Sequence, residues 1–263
     1  MIRWLILTVL LLQMAVAGAG EVLRLATTTS TENSGLLRAI LPDFERKTGI
    51  EVHVIAVGTG KALRMGRDGD VDVVLVHARP AEEKFVAAGY GVQRYPVMHN
   101  DFVIVGPADD PAGVAGSPDV ITALKRIADH RQRFVSRGDD SGTHKKEKSL
   151  WRAAGIEPNG RWYLQAGQGM GKVLQMASEM QAYTMTDRGT WLAMRDKLDL
   201  KLLNAGDERL FNPYGIIAVN PAKHPGVNHD AAMKLIEWFT SPETKKKIAD
   251  FKVGGEQLFV PEP

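Results

Sequence analysis

Apolar runs of strand length alternate with segments of helical period, and this alternation constrains the fold more than any other feature. Val22-Leu23-Arg24-Leu25-Ala26 and the runs 50–57 and 71–76 each fit a strand. Between the first two, Leu36, Leu37, Ile40 and Phe44 recur at helical spacing, with Pro42 a predicted kink and Thr48-Gly49 the stop. Gly58-Thr59-Gly60 opens the next helix. The run 71–76 is nearly all apolar, as expected of a parallel strand covered on both faces. This β-α-β-α-β order predicts an α/β domain.

After residue 95 the chain changes character. Residues 102–107 read as a strand leaving the first domain, and a second α/β unit follows. Its predicted strands lie near 134–136 and 182–186, with helices over 142–154 and 169–180 between them. Residues 213–220 read as a returning strand. Two helices close the chain, the last marked by Ser241-Pro242-Glu243, an N-cap with proline at the first helical position. The expected architecture is α/β with two lobes, residues 20–99 with 215–263 and residues 100–214. The second lobe includes two crossing strands, and a ligand cleft lies between the lobes.

Residues 1–17 fit a secretory signal peptide, with Arg3 as the charged start, an apolar stretch over 5–12 and the small-x-small sites Ala15-Val16-Ala17 and Ala17-Gly18-Ala19. The apolar stretch is shorter than the roughly 20 residues of a spanning helix. Cleavage and a periplasmic location are therefore expected. The chain has no cysteine, which excludes disulfides and a lipid-attachment cysteine. Composition is that of an ordinary globular protein, 44% hydrophobic and 24% charged, and a net charge of +2 argues against nucleic acid as a partner. A monomer is expected.

Ser136-Arg137-Gly138-Asp139-Asp140-Ser141-Gly142-Thr143-His144 carries the clearest chemistry. Arg137 supplies a cationic fork of donors, Ser141 and Thr143 supply hydroxyls, and Gly142 lets a backbone amide approach a ligand. A helix starting here would aim free N–H groups at the same point. The competing reading is a solvated turn closed by an Arg–Asp pair. Thr27–Ser30 and Gly58–Gly60 are also rich in Ser, Thr and Gly, and all three loops follow strands, where open α/β sheets bind ligands. Other motifs fail. The Gly-Asp-Ser-Gly string of trypsin-like proteases is interrupted by an extra Asp. Ile55 and Ala62 stand where a nucleotide P-loop needs Gly and Ser or Thr. The seven histidines show no metal-ligand spacing, and Met170, Met176, Met180, Met185 and Met194 read as core filler.

Several strings taken together identify a family. They are Ala26-Thr27-Thr28-Thr29-Ser30, Leu41-Pro42-Asp43-Phe44-Glu45, Ala56-Val57-Gly58-Thr59-Gly60-Lys61-Ala62-Leu63, Asn100-Asp101-Phe102, the Arg137 loop, and Ala182-Tyr183-Thr184-Met185-Thr186-Asp187-Arg188-Gly189-Thr190. The chain resembles the periplasmic tungstate-binding proteins of ABC transporters over nearly its whole length. The resemblance implies a type II periplasmic-binding fold that closes on tungstate, with molybdate a second candidate, and delivers it to an ABC permease. It implies oxyanion binding by Thr28, Thr29 and Ser30. The Arg-x-Asp-x-Ser-Gly-Thr string is also similar to that of phosphate-binding proteins and implies a role for Arg137, Ser141, Gly142 and Thr143. Family pattern alone adds Thr59 and Thr186.

These expectations amount to a receptor and not an enzyme, without cofactor, holding tungsten only as its oxyanion. The alternatives are phosphate or sulfate as ligand, or a ligand-sensing domain. The three loops supply hydroxyls, amides and one guanidinium, donors suited to a fully ionised anion, so affinity is expected to change little between about pH 6 and 8.

Overall fold

The computed structural model describes residues 20–139 and 141–263. The predicted signal peptide lies outside the described residues.

β1 (Glu21–Thr28) leads into a single-turn helix, α1 (Thr29–Asn33), and then α2 (Leu36–Thr48). The sequence predicts a loop over 27–35. Instead, Thr28 caps α1 by accepting a hydrogen bond from the Thr31 N–H, and the hydroxyl-rich string closes into a turn of helix. α2 runs through Pro42, which lies on its exposed side, to Gly49 in the left-handed conformation. β2 (Ile50–Val57) has the predicted bounds, and α3 (Thr59–Asp68) begins where the sequence places its start. β3 (Val73–Val76) is followed by α4 (Arg79–Ala87) and then β4 (Gly91–Gly106), a 16-residue strand of which only the last part is foreseen in the sequence.

The next stretch comprises α5 (Val120–Asp129), β5 (Phe134–Ser136), α6 (Gly142–Ala153), β6 (Tyr163–Gln165) and α7 (Met170–Met180). β7 (Thr184–Asp187), α8 (Arg188–Met194) and β8 (Lys201–Asn204) follow. β9 (Phe211–Val219) is the returning strand. α9 (His229–Thr240), α10 (Pro242–Asp250), the short hairpin β10 (Lys252–Val253) and β11 (Glu256–Gln257), and β12 (Val260–Pro261) complete the chain.

One sheet runs β12-β4-β9-β3-β1-β2, with β7 and β8 joined to the far end of β4. β1, β2 and β3 are mutually parallel, and β9 is antiparallel to β3 and β4. β4 pairs with β9 as far as Asp101, and from Phe102 it pairs with β7 and β8. β4 and β9 are thus the two crossing strands. Period-two alternation decides which core each residue joins. Val73 and Leu75 enter a core shared with α2, α9 and α10, while Val74 and Val76 enter one shared with Ala62 and Phe85. Beyond the crossing, Phe102 and Ile104 pack with Leu124, Ile127 and Trp151, and Val103 and Val105 with the opposite face.

Candidate functional site

Strand direction brings the predicted loops together. β1 pairs with β2 from Glu21 opposite Ile50 to Thr28 opposite Val57, so both strands end at the same level and their loops are neighbours. β4 points the same way as β1, because β9 is antiparallel to both β4 and β3, and β3 is parallel to β1. β7 is antiparallel to β4, and β5 bridges β7 in parallel from Phe134 to Tyr183. β5 therefore points back toward the ends of β1 and β2. The loops after β1, β2 and β5 thus open toward the level at which β4 changes sheet partners. Buried polar side chains gather in that stretch, among them Thr28, Thr31, Asn100, Asp101, Thr143 and Thr186.

Around β1 the hydroxyls are already engaged. Thr27 donates to the Leu75 carbonyl at 2.7 Å and is wholly buried, so it ties strands together. Thr28 Oγ1 lies 2.6 Å from Thr31 Oγ1 and 3.0 Å from Ser30 Oγ. Thr29 and Ser30 are exposed, and Thr59 is half-buried at the first position of α3. A half-buried histidine, His77, joins this cluster from the end of β3. Its Nε2 is 3.1 Å from Thr28 Oγ1 and 3.2 Å from Ser30 Oγ, and its Nδ1 is 3.1 Å from Asn212 Oδ1. The Asn212 amide nitrogen donates to Asn100 Oδ1 at 2.8 Å, which links the two crossing strands. Burial lowers the His77 pKa below its ordinary value, and the bond with Asn212 only partly opposes this.

The segment after β5 is charged. Arg137 donates from Nε at 3.0 Å and from Nη2 at 2.5 Å, both to Asp139 Oδ2. Asp139 Oδ1 accepts the Ser141 N–H at 3.2 Å. Burial would raise the Asp139 pKa, but the bonds from Ser141 and Arg137 outweigh it and hold the carboxylate below its usual range. The Arg–Asp pair weighed as a bland alternative is present, and it sits at the N-terminus of a 12-residue helix. Ser141 caps that helix by accepting the His144 N–H at 3.3 Å. Gly138 adopts φ +63°, and a Cβ there would stand 2.8 Å from Gln165 Cβ, so the turn requires glycine. Gly142 is exposed with open space at its Cα, and Thr143 is buried.

Buried Glu147 holds this segment from beneath. It accepts bonds from the Ser136 and Tyr163 hydroxyls at 2.7 Å each and from Trp151 Nε1 at 3.2 Å, and burial raises its pKa. Thr186, at the end of β7, is fully buried and donates to the Asp187 carbonyl at 3.1 Å. Arg188 grips Asp101 with two bonds of 2.6 Å where β4 leaves β9. An open groove of about 720 Å³ beside α6, lined by Lys148, Trp151, Arg152 and Ile156, shares none of the predicted donors. Among the described residues no group of three or more His, Cys, Asp or Glu could hold a metal ion, and no helix is long and apolar enough to cross a membrane.

The PBP superfamily domain matches residues 15–243. The tungstate-binding protein TupA of Peptoclostridium acidaminophilum is 52% identical over 90% of this chain and 84% of its own. The chain belongs to this family. TupA of Campylobacter jejuni is 42% identical over 88% of this chain and 87% of its own. The solved structure of TupA from Desulfovibrio alaskensis G20, 52% identical, superposes with a TM-score of 0.89, covering 92% of this chain and 99% of that one. Membership in the family accounts for the fold. It does not by itself show which side chains touch a ligand.

His77, Asn212 and Asn100 are not foreseen in the sequence. The rule that ligands sit at the ends of parallel strands points to residue 77 as plainly as to residues 28 and 58, since β3 lies beside β1 in the same direction.

Proposed function

We propose that this chain is an extracytoplasmic receptor for tungstate, with molybdate the next-best ligand, and that it delivers the anion to an ABC permease as a monomer exported by the segment 1–17. The observation that carries this reading is that the strands before the Thr28, Thr59 and Arg137 loops run toward the level at which β4 changes sheet partners. The two TupA relatives and the fold support it. In this reading Thr28, Thr29, Ser30 and Thr59 contribute from one lobe (20–99 with 215–263). Arg137, Ser141, Gly142, Thr143 and Thr186 contribute from the other (100–214). Neither set surrounds a tetrahedral anion alone, so binding closes the lobes on the crossing strands.

Phosphate keeps a proton near neutrality and is best read by a free carboxylate. Asp139 is the nearby candidate, and its two oxygens are taken by Arg137 and Ser141. Sulfate is fully ionised, and a cavity shaped for the larger tungstate rejects it by leaving its donors too far apart. Tungstate and molybdate are nearly the same size, so discrimination is weakest between them.

Calorimetric competition among tungstate, molybdate, phosphate and sulfate tests the assignment. A ligand at about 100 times its dissociation constant should also stabilise the fold by roughly 2.7 kcal/mol in a thermal shift. Phosphate or sulfate binding as tightly as tungstate would overturn it.

A further inference from the structure

Given that Thr28 and Ser30 hold the oxyanion as proposed above, we propose that His77 takes up a proton when the anion binds, so that capture is proton-coupled. The hydrogen-bond pattern around the ring fixes its tautomer. The Asn212 amide nitrogen donates to Asn100, so Asn212 Oδ1 faces the ring as an acceptor and His77 Nδ1 carries the hydrogen. His77 Nε2 is then a lone pair in a neutral ring, and it accepts a proton from the Thr28 or Ser30 hydroxyl within reach of it.

An oxyanion accepts and cannot donate, so Thr28 and Ser30 must turn their hydroxyl protons toward it. That leaves two hydroxyl oxygens 3.1 and 3.2 Å from Nε2 with lone pairs facing a lone pair. Protonating Nε2 resolves the conflict, because the imidazolium donates to the hydroxyl oxygens that donate to the anion. The proton comes from solvent, and the contacts run to oxygen atoms of the anion, with no bond to its metal centre. The dianion itself stabilises the imidazolium.

The other groups around the ring do not supply this proton. Tyr214 of β9 lies 4.8 Å away ring to ring, and burial raises its phenol well above the usual range, so it stays neutral. Asp187, at the junction of β7 and α8, is the carboxylate whose charge acts on His77. Its oxygens are held by the Thr190 N–H at 2.8 Å and hydroxyl at 2.7 Å. Thr28, Ser30 and Thr31 are uncharged, and nearby Arg79 is exposed and paired with Glu83.

The sign of the pH effect follows. In the free protein burial keeps the ring neutral at neutral pH. In the complex its pKa is raised. Between the two values binding takes up a proton, and affinity falls by up to about tenfold per pH unit as pH rises, levelling outside that window. This differs from the small pH dependence expected from the donor types of the three loops, and the two expectations are distinguished by experiment.

Isothermal titration of the mature protein with sodium tungstate at about pH 7, in buffers of different ionisation enthalpy, counts the protons. A fraction of a proton up to one is expected for the wild type and none for His77→Gln, whose amide can still accept and donate but cannot titrate. Ring NMR of wild-type His77 should show a raised pKa with tungstate, whatever the variant does. Buffer-independent enthalpy in the wild type, equal uptake in H77Q, or an unmoved ring pKa would overturn the proposal. If tungstate fails and sulfate binds with the same proton uptake, the ligand assignment falls and the coupling stands. If neither anion binds, both fall.

Discussion

The donor segments on the two sides of the gap solve the same problem differently. Around β1 the donors are neutral hydroxyls kept in place by other neutral groups, namely Thr31, His77 and, through it, Asn212. After β5 the donor is a permanent cation neutralised by a carboxylate two residues away. Hydroxyls can switch between donating and accepting by rotating one bond, so they cost little to redirect. A guanidinium cannot switch between donating and accepting, and it keeps its charge at any physiological pH. In the proposed reading the first side therefore adapts to the ligand, and the second supplies most of the pull.

If that division holds, Arg137→Ala should have the largest effect of any single change. Hydrogen bonds to charged groups are worth about 1.5–3 kcal/mol each, so losing two contacts costs at least about a hundredfold in affinity. Calorimetry would read this, with circular dichroism expected to show an intact fold, since among the described residues the Arg137 side chain hydrogen-bonds only Asp139. Affinity within about threefold of the wild type would mean the cation is structural.

On the hydroxyl side the expected losses are smaller and separable. Ser30→Ala removes one donor and should cost about tenfold at most, without changing thermal stability. Thr28→Ala removes a donor and also the cap of α1, for about 1 kcal/mol of stability in addition. A melting temperature unchanged in T28A would show that the turn is held by Ser34 and Gly35 instead, whose N–H groups bond the Ser30 and Glu32 carbonyls.

How much of this was legible in the sequence differs between the same two sides. Strands 50–57 and 134–136 and the helix from Gly142 could be read because apolar period and capping residues agree locally. The first half of β4 could not. Gly91 to Asp101 carries Gln93, Arg94, Tyr95, Pro96, His99 and Asn100, a poor strand by composition, and a register shift flanks Pro96. Tertiary pairing with β9 and β12 makes it a strand. In the site, Arg137 and Ser141 were visible because their chemistry lies within one short string. His77, Asn100 and Asn212 are 23 and 112 residues apart along the chain and meet only when β3, β4 and β9 align, so no local pattern marks them.

The smallest effect, and the finest test of the comparison, concerns Asp139. Its charge competes with the ligand for Arg137, yet its Oδ1 also orders the Ser141 N–H at the start of α6. Asp139→Asn keeps an acceptor for Ser141 and removes the competing charge. Affinity for a dianion should rise by a few-fold at low salt, and the gain should shrink near physiological ionic strength, where the Debye length is about 8 Å. A loss of affinity would show instead that the pair orients Arg137. Stability should move the other way. Because the folded protein holds the Asp139 pKa down, its contribution is present above the unfolded value of about 3.9 and is lost as pH falls through the folded value. Melting curves of wild type and D139N should therefore differ most near neutrality and converge in acid. Curves separated by the same interval at every pH would place the stabilising role in the Asn-compatible bond to Ser141 and not in the charge.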